Sequence, residues 1–253
     1  MESYATAQQV FAAGLIFSRL SAIIMLLPGL GETFIPARIR LAFAFGLTLM
    51  LFPLMGGSVP PLPADGAGLG GAVIKELLIG LMIGGVLRLF MNSLATAGEI
   101  VSLQTTLSFA QTANPMQAQP STTLGTFLGL IGIVLIFATN LHHLFISAIV
   151  GSFEIFPFSR DVPVSDAGQL AIQTMSGSFA LGLQLAAPVV VFSLIFNIAT
   201  GLVGRVMPQF QVFFVATPLI VLLGLSIFAL SLGVIGVVWV DGYRELIAIF
   251  TRT

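Results

Sequence analysis

Residues 98–126 read GEIVSLQTTLSFAQTANPMQAQPSTTLGT. Glu99 is the single charge in this stretch, which is otherwise rich in Gln, Thr, Ser and Asn and holds Pro115 and Pro120. Long apolar segments flank it on both sides. A loop in water ordinarily carries Lys, Glu or Asp, and a lipid-facing helix carries almost no amides. Uncharged polar backbone is tolerated at membrane depth where protein buries it or a water-filled cavity borders it. Two readings follow: a loop that sits in or across a pore, or a polar extramembrane loop with few charges. Pro115 and Pro120 each remove a backbone donor and disfavour helix at the preceding residue. The expectation is therefore a non-helical loop over residues 107–120.

Outward from this stretch the chain is apolar. Hydrophobic residues make up 57% of 253 positions and charged residues 8%, against about 25% charged in an average soluble domain. Mean hydropathy is +1.08. These values describe one integral membrane domain over residues 1–253. The net charge of −1 gives no footprint for nucleic acid. The absence of cysteine excludes disulfides, thiolate metal sites and a Cys nucleophile. Glu2 and the lack of any basic residue before Arg19 do not suit a secretory signal, so the first apolar segment is expected to be retained.

Six apolar segments are expected to form helices in three pairs: 10–30, 41–55, 72–91, 124–150, 179–203 and 212–240. The second is short of the ~20 residues that span 30 Å of hydrocarbon, and reads as a tilted hairpin arm or a buried helix. Arg19 lies near the middle of the first, where it must face protein or water. Arg88 and Glu99 are the other candidate buried charges. Lys75 and Glu76 open the third segment. The Pro/Gly-rich run 56–71 is a loop by its turn chemistry. Pro188 is expected to kink the fifth helix. Residues 241–253 read as a short polar tail. Basic residues divide four against four between the two sides, so they do not orient the chain.

Chemistry-bearing motifs are sparse. His142 and His143 are the two histidines; adjacent helical residues point about 100° apart, which does not suit shared ligation of one metal. HExxH, P-loop and GxSxG motifs are absent. Catalytic, cofactor and metal sites are not expected. Gly80 and Gly84, and Gly125 and Gly129, have the spacing of four that lets helix backbones approach closely. The turn at 205–211 carries Arg205, Pro208 and Gln209. Arg205 is expected to hold backbone carbonyls or a partner carboxylate, with a snorkelling arginine as the alternative.

Four ordered stretches resemble the FliR family of flagellar export-gate proteins, whose counterparts serve type III secretion injectisomes. They are PGLGETFIPARIRLAFAFGLTLMLFP (28–53), the central stretch, NLHHLFISAIVGSFEIFP (140–157) and GRVMPQFQVFFVATP (204–218). In the centre, Gly98, Glu99, Gln104, Leu107, Ser108, Ala110, Asn114 and Pro115 match the family pattern. Thr106 and Ala216 stand where the family usually has Gly, Gln211 where it has Asn, and Ile220 where Lys is common.

The resemblance implies an all-α polytopic fold, one FliP-like and one FliQ-like unit fused, within a helical hetero-oligomeric export gate. It implies a single-copy, non-enzymatic subunit in the bacterial inner membrane and flagellar basal body. Implied partners are FliP-like, FliQ-like and FlhB-like subunits, the basal-body ring housing, membrane lipid and the unfolded flagellar proteins that are exported. The central loop would plug the pore through Gln104, Leu107, Ser108, Phe109, Gln111, Asn114, Pro115, Met116 and Gln117. Arg38, Arg40, His142, His143, Arg205, Pro208, Gln209 and Pro218 would serve structure and assembly. A secondary transporter of a small solute is the reading from another class, and an injectisome subunit the alternative within the family.

Overall fold

The computed structural model describes residues 6–108, 122–160, 164–207, 209 and 211–251. Among them are seven α-helices, one 3-10 turn (Gly56–Ser58) and no strand: α1 Ala7–Leu26, α2 Ala37–Met55, α3 Gly66–Gln104, α4 Thr123–Ala138, α5 Leu141–Ile155, α6 Val164–Val206 and α7 Val212–Thr251. Five of these helices are individually long and apolar enough to cross a membrane. The pair α4 and α5 passes the same test jointly, with a break between them at residues 139–140. The chain is an all-α polytopic membrane protein.

The six apolar segments are present, but several boundaries move. α3 is 39 residues long and runs from Gly66 through Glu99 to Gln104. The central stretch therefore begins in helix, and Lys75 and Glu76 sit inside α3 rather than at its start. The expected single segment 124–150 is broken at Asn140, a non-glycine residue in the left-handed region with φ 59°. Hydropathy cannot register such a break, because both sides remain apolar. Where a polar tail was expected at 241–253, residues 241–251 are instead the last part of α7, a 40-residue helix. Tyr243, Ile247 and Phe250 lie on one face at helical spacing and are buried. α6 continues through Pro188 as one helix of 43 residues.

The chain divides into two compact units. The first comprises residues 1–90, 140–175 and 243–253; the second comprises 91–139 and 176–242.

In the first unit α1 and α3 run parallel in close contact. A Cβ on Gly80 would lie 2.6 Å from the carbonyl oxygen of Arg19, and one on Gly84 would lie 3.0 Å from that of Ile23. These are the two glycines whose spacing announced a tight interface. Leu15, Ile16, Leu20, Ile23, Ile79, Ile83 and Leu87 fill the space around them. Tyr243 stacks on Phe90 with ring centroids 5.0 Å apart, and its hydroxyl donates to the carbonyl of Leu87 at 3.0 Å.

One ionic cluster ties this unit together. Arg19 is fully buried. Its Nε donates to Glu76 Oε2 at 2.6 Å. Its Nη1 donates to the carbonyl of Ser152 at 2.9 Å, and its Nη2 to that of Phe156 at 2.8 Å. The rings of Phe153 and Phe158 lie against the guanidinium, at 4.3 and 5.3 Å from its centre. Arginine's planar fork thus binds one carboxylate and two carbonyls at the end of α5, where the negative end of the helix dipole favours a cation. Lys75 adds a bond to the carbonyl of Phe158 at 2.7 Å. The mid-span arginine faces protein, as its cost in lipid demanded.

In the second unit α3 and α4 are antiparallel. A Cβ on Gly98 would lie 2.5 Å from the Cα of Gly125, while Gly132 packs against Leu94 and Met91. Gly129, the other half of the expected glycine pair, faces open space.

Candidate functional site: the end of α3 and its cavity

The polar central stretch enters the described structure at both ends. At its start, Thr105 closes α3: its amide and its hydroxyl both donate to the carbonyl of Val101, at 2.9 and 2.8 Å. Thr106 then adopts φ 60°, the left-handed conformation that ends helices and that glycine favours. The amide of Ser108 turns back to the carbonyl of Ser102 at 3.2 Å. A β-branched side chain is strained in this conformation, at a position where the resemblance led to the expectation of glycine.

Two neighbouring helices fix this helix end. Gln104 Oε1 accepts a hydrogen bond from Ser193 Oγ of α6 at 2.8 Å. On α7, Gly224 leaves room for Thr105; a Cβ there would be 2.6 Å from the threonine methyl. At the other end, Thr122 caps α4 by accepting from the amide of Gly125 at 3.1 Å. The Gly98–Gly125 contact draws that cap towards α3. Both flanks of the polar stretch are therefore held on packed helices of the second unit.

Leu107 and Ser108 sit half-buried in the turn after α3. Phe109, Gln111, Asn114, Pro115, Met116 and Gln117 lie outside the described residues, as does Pro208. Beside the turn is a cavity of about 280 Å³ lined by Thr106, Phe196, Asn197, Thr200, Thr217, Ile220 and their small neighbours. Ala216 also lines it. Three of the four departures from the family pattern, Thr106, Ala216 and Ile220, thus converge on one cavity.

The remaining expected residues are scattered. Arg205 is exposed in the last turn of α6, where a cation complements the helix dipole. Gln209 is exposed in the turn that follows, and Pro218 is exposed within α7. His142 and His143 occupy the first turn of α5 with ring centroids 4.1 Å apart. Arg38 is exposed, and Arg40 reaches the carbonyl of Gly31 at 3.4 Å. Arg88 binds both carboxylate oxygens of Glu32, with 38% of its side chain exposed.

Glu76 and Glu32 were missed by the sequence reading. A signal for the first did exist: a buried Arg19 needs an acceptor, and Glu76 is the carboxylate embedded in the neighbouring apolar helix. No pattern could pair Glu32 with Arg88 across 56 residues.

The family model described as "Bacterial export proteins, family 1" matches residues 10–246. The flagellar biosynthetic protein FliR of Caulobacter vibrioides is 62% identical over 251 residues, covering 99% of this chain and 100% of that protein. The FliR of Aquifex aeolicus is 32% identical, covering 93% and 91%. That of Escherichia coli is 31% identical, covering 83% and 80%. The chain belongs to the FliR family of flagellar biosynthetic proteins, membrane-associated components of the bacterial export machinery.

Proposed function

We propose that this chain is a single-copy, non-enzymatic subunit of the flagellar type III export gate in the bacterial inner membrane, within the basal body. With FliP-like and FliQ-like subunits, and in contact with an FlhB-like subunit and the ring housing, it forms the passage for unfolded flagellar proteins. The observation that carries this reading is the charge-poor central stretch, anchored at Gln104–Ser108 and at Thr122 on packed helices. Firm anchors at both ends suit a segment that must yield and return without loss of the surrounding helices. We assign residues 107–120 the role of plug. Phe109 and Met116 supply apolar bulk that gates by dewetting, and Gln111, Asn114, Gln117 and Gln119 supply uncharged hydrogen-bonding groups. Absence of fixed charge lets chains of varied sequence pass.

Deleting residues 112–119 tests the plug. The assembled gate should still be recovered, with raised leak of ions or small solutes. An intact complex of unchanged conductance would place the segment outside the passage.

The break between α4 and α5 favours a second reading, since broken helices occur in secondary transporters. Such a protein would be recovered as a monomer or dimer that binds a small solute. Family membership weighs against it.

A further inference from the structure

The link between α2 and α3 holds the sequence VPPLPAD, residues 59–65. Prolines at 60, 61 and 63 fix their own φ near about −65° and push each preceding residue to extended backbone. Val59 has φ −76° and ψ 134°, within the polyproline II region. Burial follows that geometry, which repeats about every three residues. Pro60 and Pro63, on one edge, are half-buried. Pro61 and Ala64 on the second edge, and Leu62 and Asp65 on the third, are exposed.

The inner edge is clamped to the first unit. Gln8, in the first turn of α1, donates from Nε2 to the carbonyl of Pro60 at 3.0 Å. The amide of Leu62 donates back to Gln8 Oε1 at 2.7 Å. At the far end Asp65 Oδ2 accepts from the amide of Gly68 at 3.1 Å and ties the segment to the start of α3. The outer edges are open. Leu62 is 40% exposed, and the carbonyls of Pro61 and Leu62 accept no hydrogen bond among the described residues. The segment joins two helices apolar enough to cross a membrane, so it emerges where a protein outside the hydrocarbon can reach it.

We propose that residues 60–64 are a docking strand for a second protein whose groove is lined by Trp or Tyr side chains. Their rings pack on Pro61 and Leu62, and their N–H or O–H groups donate to the two open carbonyls. The strand is already held in its bound shape by three prolines and the Gln8 clamp, so little ordering entropy is lost on docking. A lipid headgroup has no use for a fixed three-residue period, and an unfolded chain in transit brings no preformed groove. The inference does not rest on the plug: it concerns another segment and another contact.

The test uses Ala64→Cys, a single thiol in a chain without cysteine. The thiol carries a benzophenone maleimide in membranes that contain the companion subunits. Irradiation should join it to one protein, at a site where Trp or Tyr residues cluster. A synthetic peptide of residues 58–65 should reduce the adduct, and the same peptide with alanine for all three prolines should not. Leu62→Ala removes an exposed side chain and should lower the yield about tenfold, as loss of a central interface residue does. The peptide acts on the unaltered strand, so misfolding cannot account for its effect. An adduct with lipid alone, or with a protein at a site free of aromatic residues, overturns the proposal and leaves the segment a rigid spacer. So does an adduct that neither the peptide nor Leu62→Ala reduces.

Discussion

Arg19 shows why a charge in an apolar helix is informative. Its guanidinium is the shared partner of Glu76 and of two carbonyls at the end of α5, so removing it leaves the buried Glu76 carboxylate without its ion pair. Breaking a buried pair costs about 3–5 kcal/mol. Arg19→Ala should therefore lower the thermal midpoint of the solubilised chain markedly and expose the 152–158 region to protease. Arg19→Lys keeps the charge but offers no planar fork to reach three acceptors, so it should recover only part of that loss. Equal midpoints for wild type and Arg19→Ala would show that the cluster does not hold α5. Thr106 lies at the other extreme. A left-handed non-glycine residue carries about 1–3 kcal/mol of strain, so Thr106→Gly should slow amide exchange over residues 103–108. Faster exchange there would mean that the threonine side chain stabilises the turn by more than its strain. Sequence pointed to both residues, one through the cost of charge and one through departure from a glycine. It did not yield their partners, which come from helices distant in the chain.

At the scale of elements, glycine spacing was the most reliable guide, and it was half right. Gly80 and Gly84 do bring α1 onto α3, whereas Gly129 meets nothing within 4 Å. A pair of substitutions separates these cases. Gly80→Ala puts a methyl group against the Arg19 carbonyl and should destabilise by about 1–3 kcal/mol through overpacking. Gly129→Ala adds a methyl group to open space and should be neutral, or stabilising by up to about 1 kcal/mol through helix propensity. Thermal midpoints of the two variants in one detergent check this; similar effects would show that the α1–α3 contact is not close. Helix ends were less legible. The polar stretch suggested an end to the third segment near residue 91, and the charges at 241–245 suggested a tail. In both places the charged residues, Glu99 in one and Asp241, Arg244 and Glu245 in the other, sit at exposed or half-exposed positions of a helix that keeps an apolar face. Tyr243, Ile247 and Phe250 carried the correct signal through their spacing. The turn at Asn140 had no such signal, because a left-handed residue between two apolar runs leaves the hydropathy unchanged.

At the scale of the whole molecule, apolar surface exceeds what one chain can cover. Phe214, Leu222, Leu230 and Val237 on α7 are exposed, Leu230 by 85%. On α6, Ile172, Phe179, Leu194, Ile198 and Leu202 are exposed as well. Membrane helices associate through packing and small residues rather than through water-driven burial, so exposed Leu and Val alone do not distinguish lipid from protein neighbours. An export-gate subunit should place much of the α6–α7 surface against companion subunits and leave α2 to lipid. The chain has no cysteine, so single introduced thiols report this without background. Leu230→Cys should react rapidly with a membrane-permeant maleimide when the chain is expressed alone. It should react at least tenfold more slowly in the assembled complex. Leu54→Cys on α2 should react alike in both. Expressed alone, the chain should also be degraded faster than with its companions. A protease-resistant isolated chain, in which Leu230→Cys labels at the same rate as in the complex, would mean that α7 faces lipid. The protein would then work without fixed subunits around it, as a transporter does.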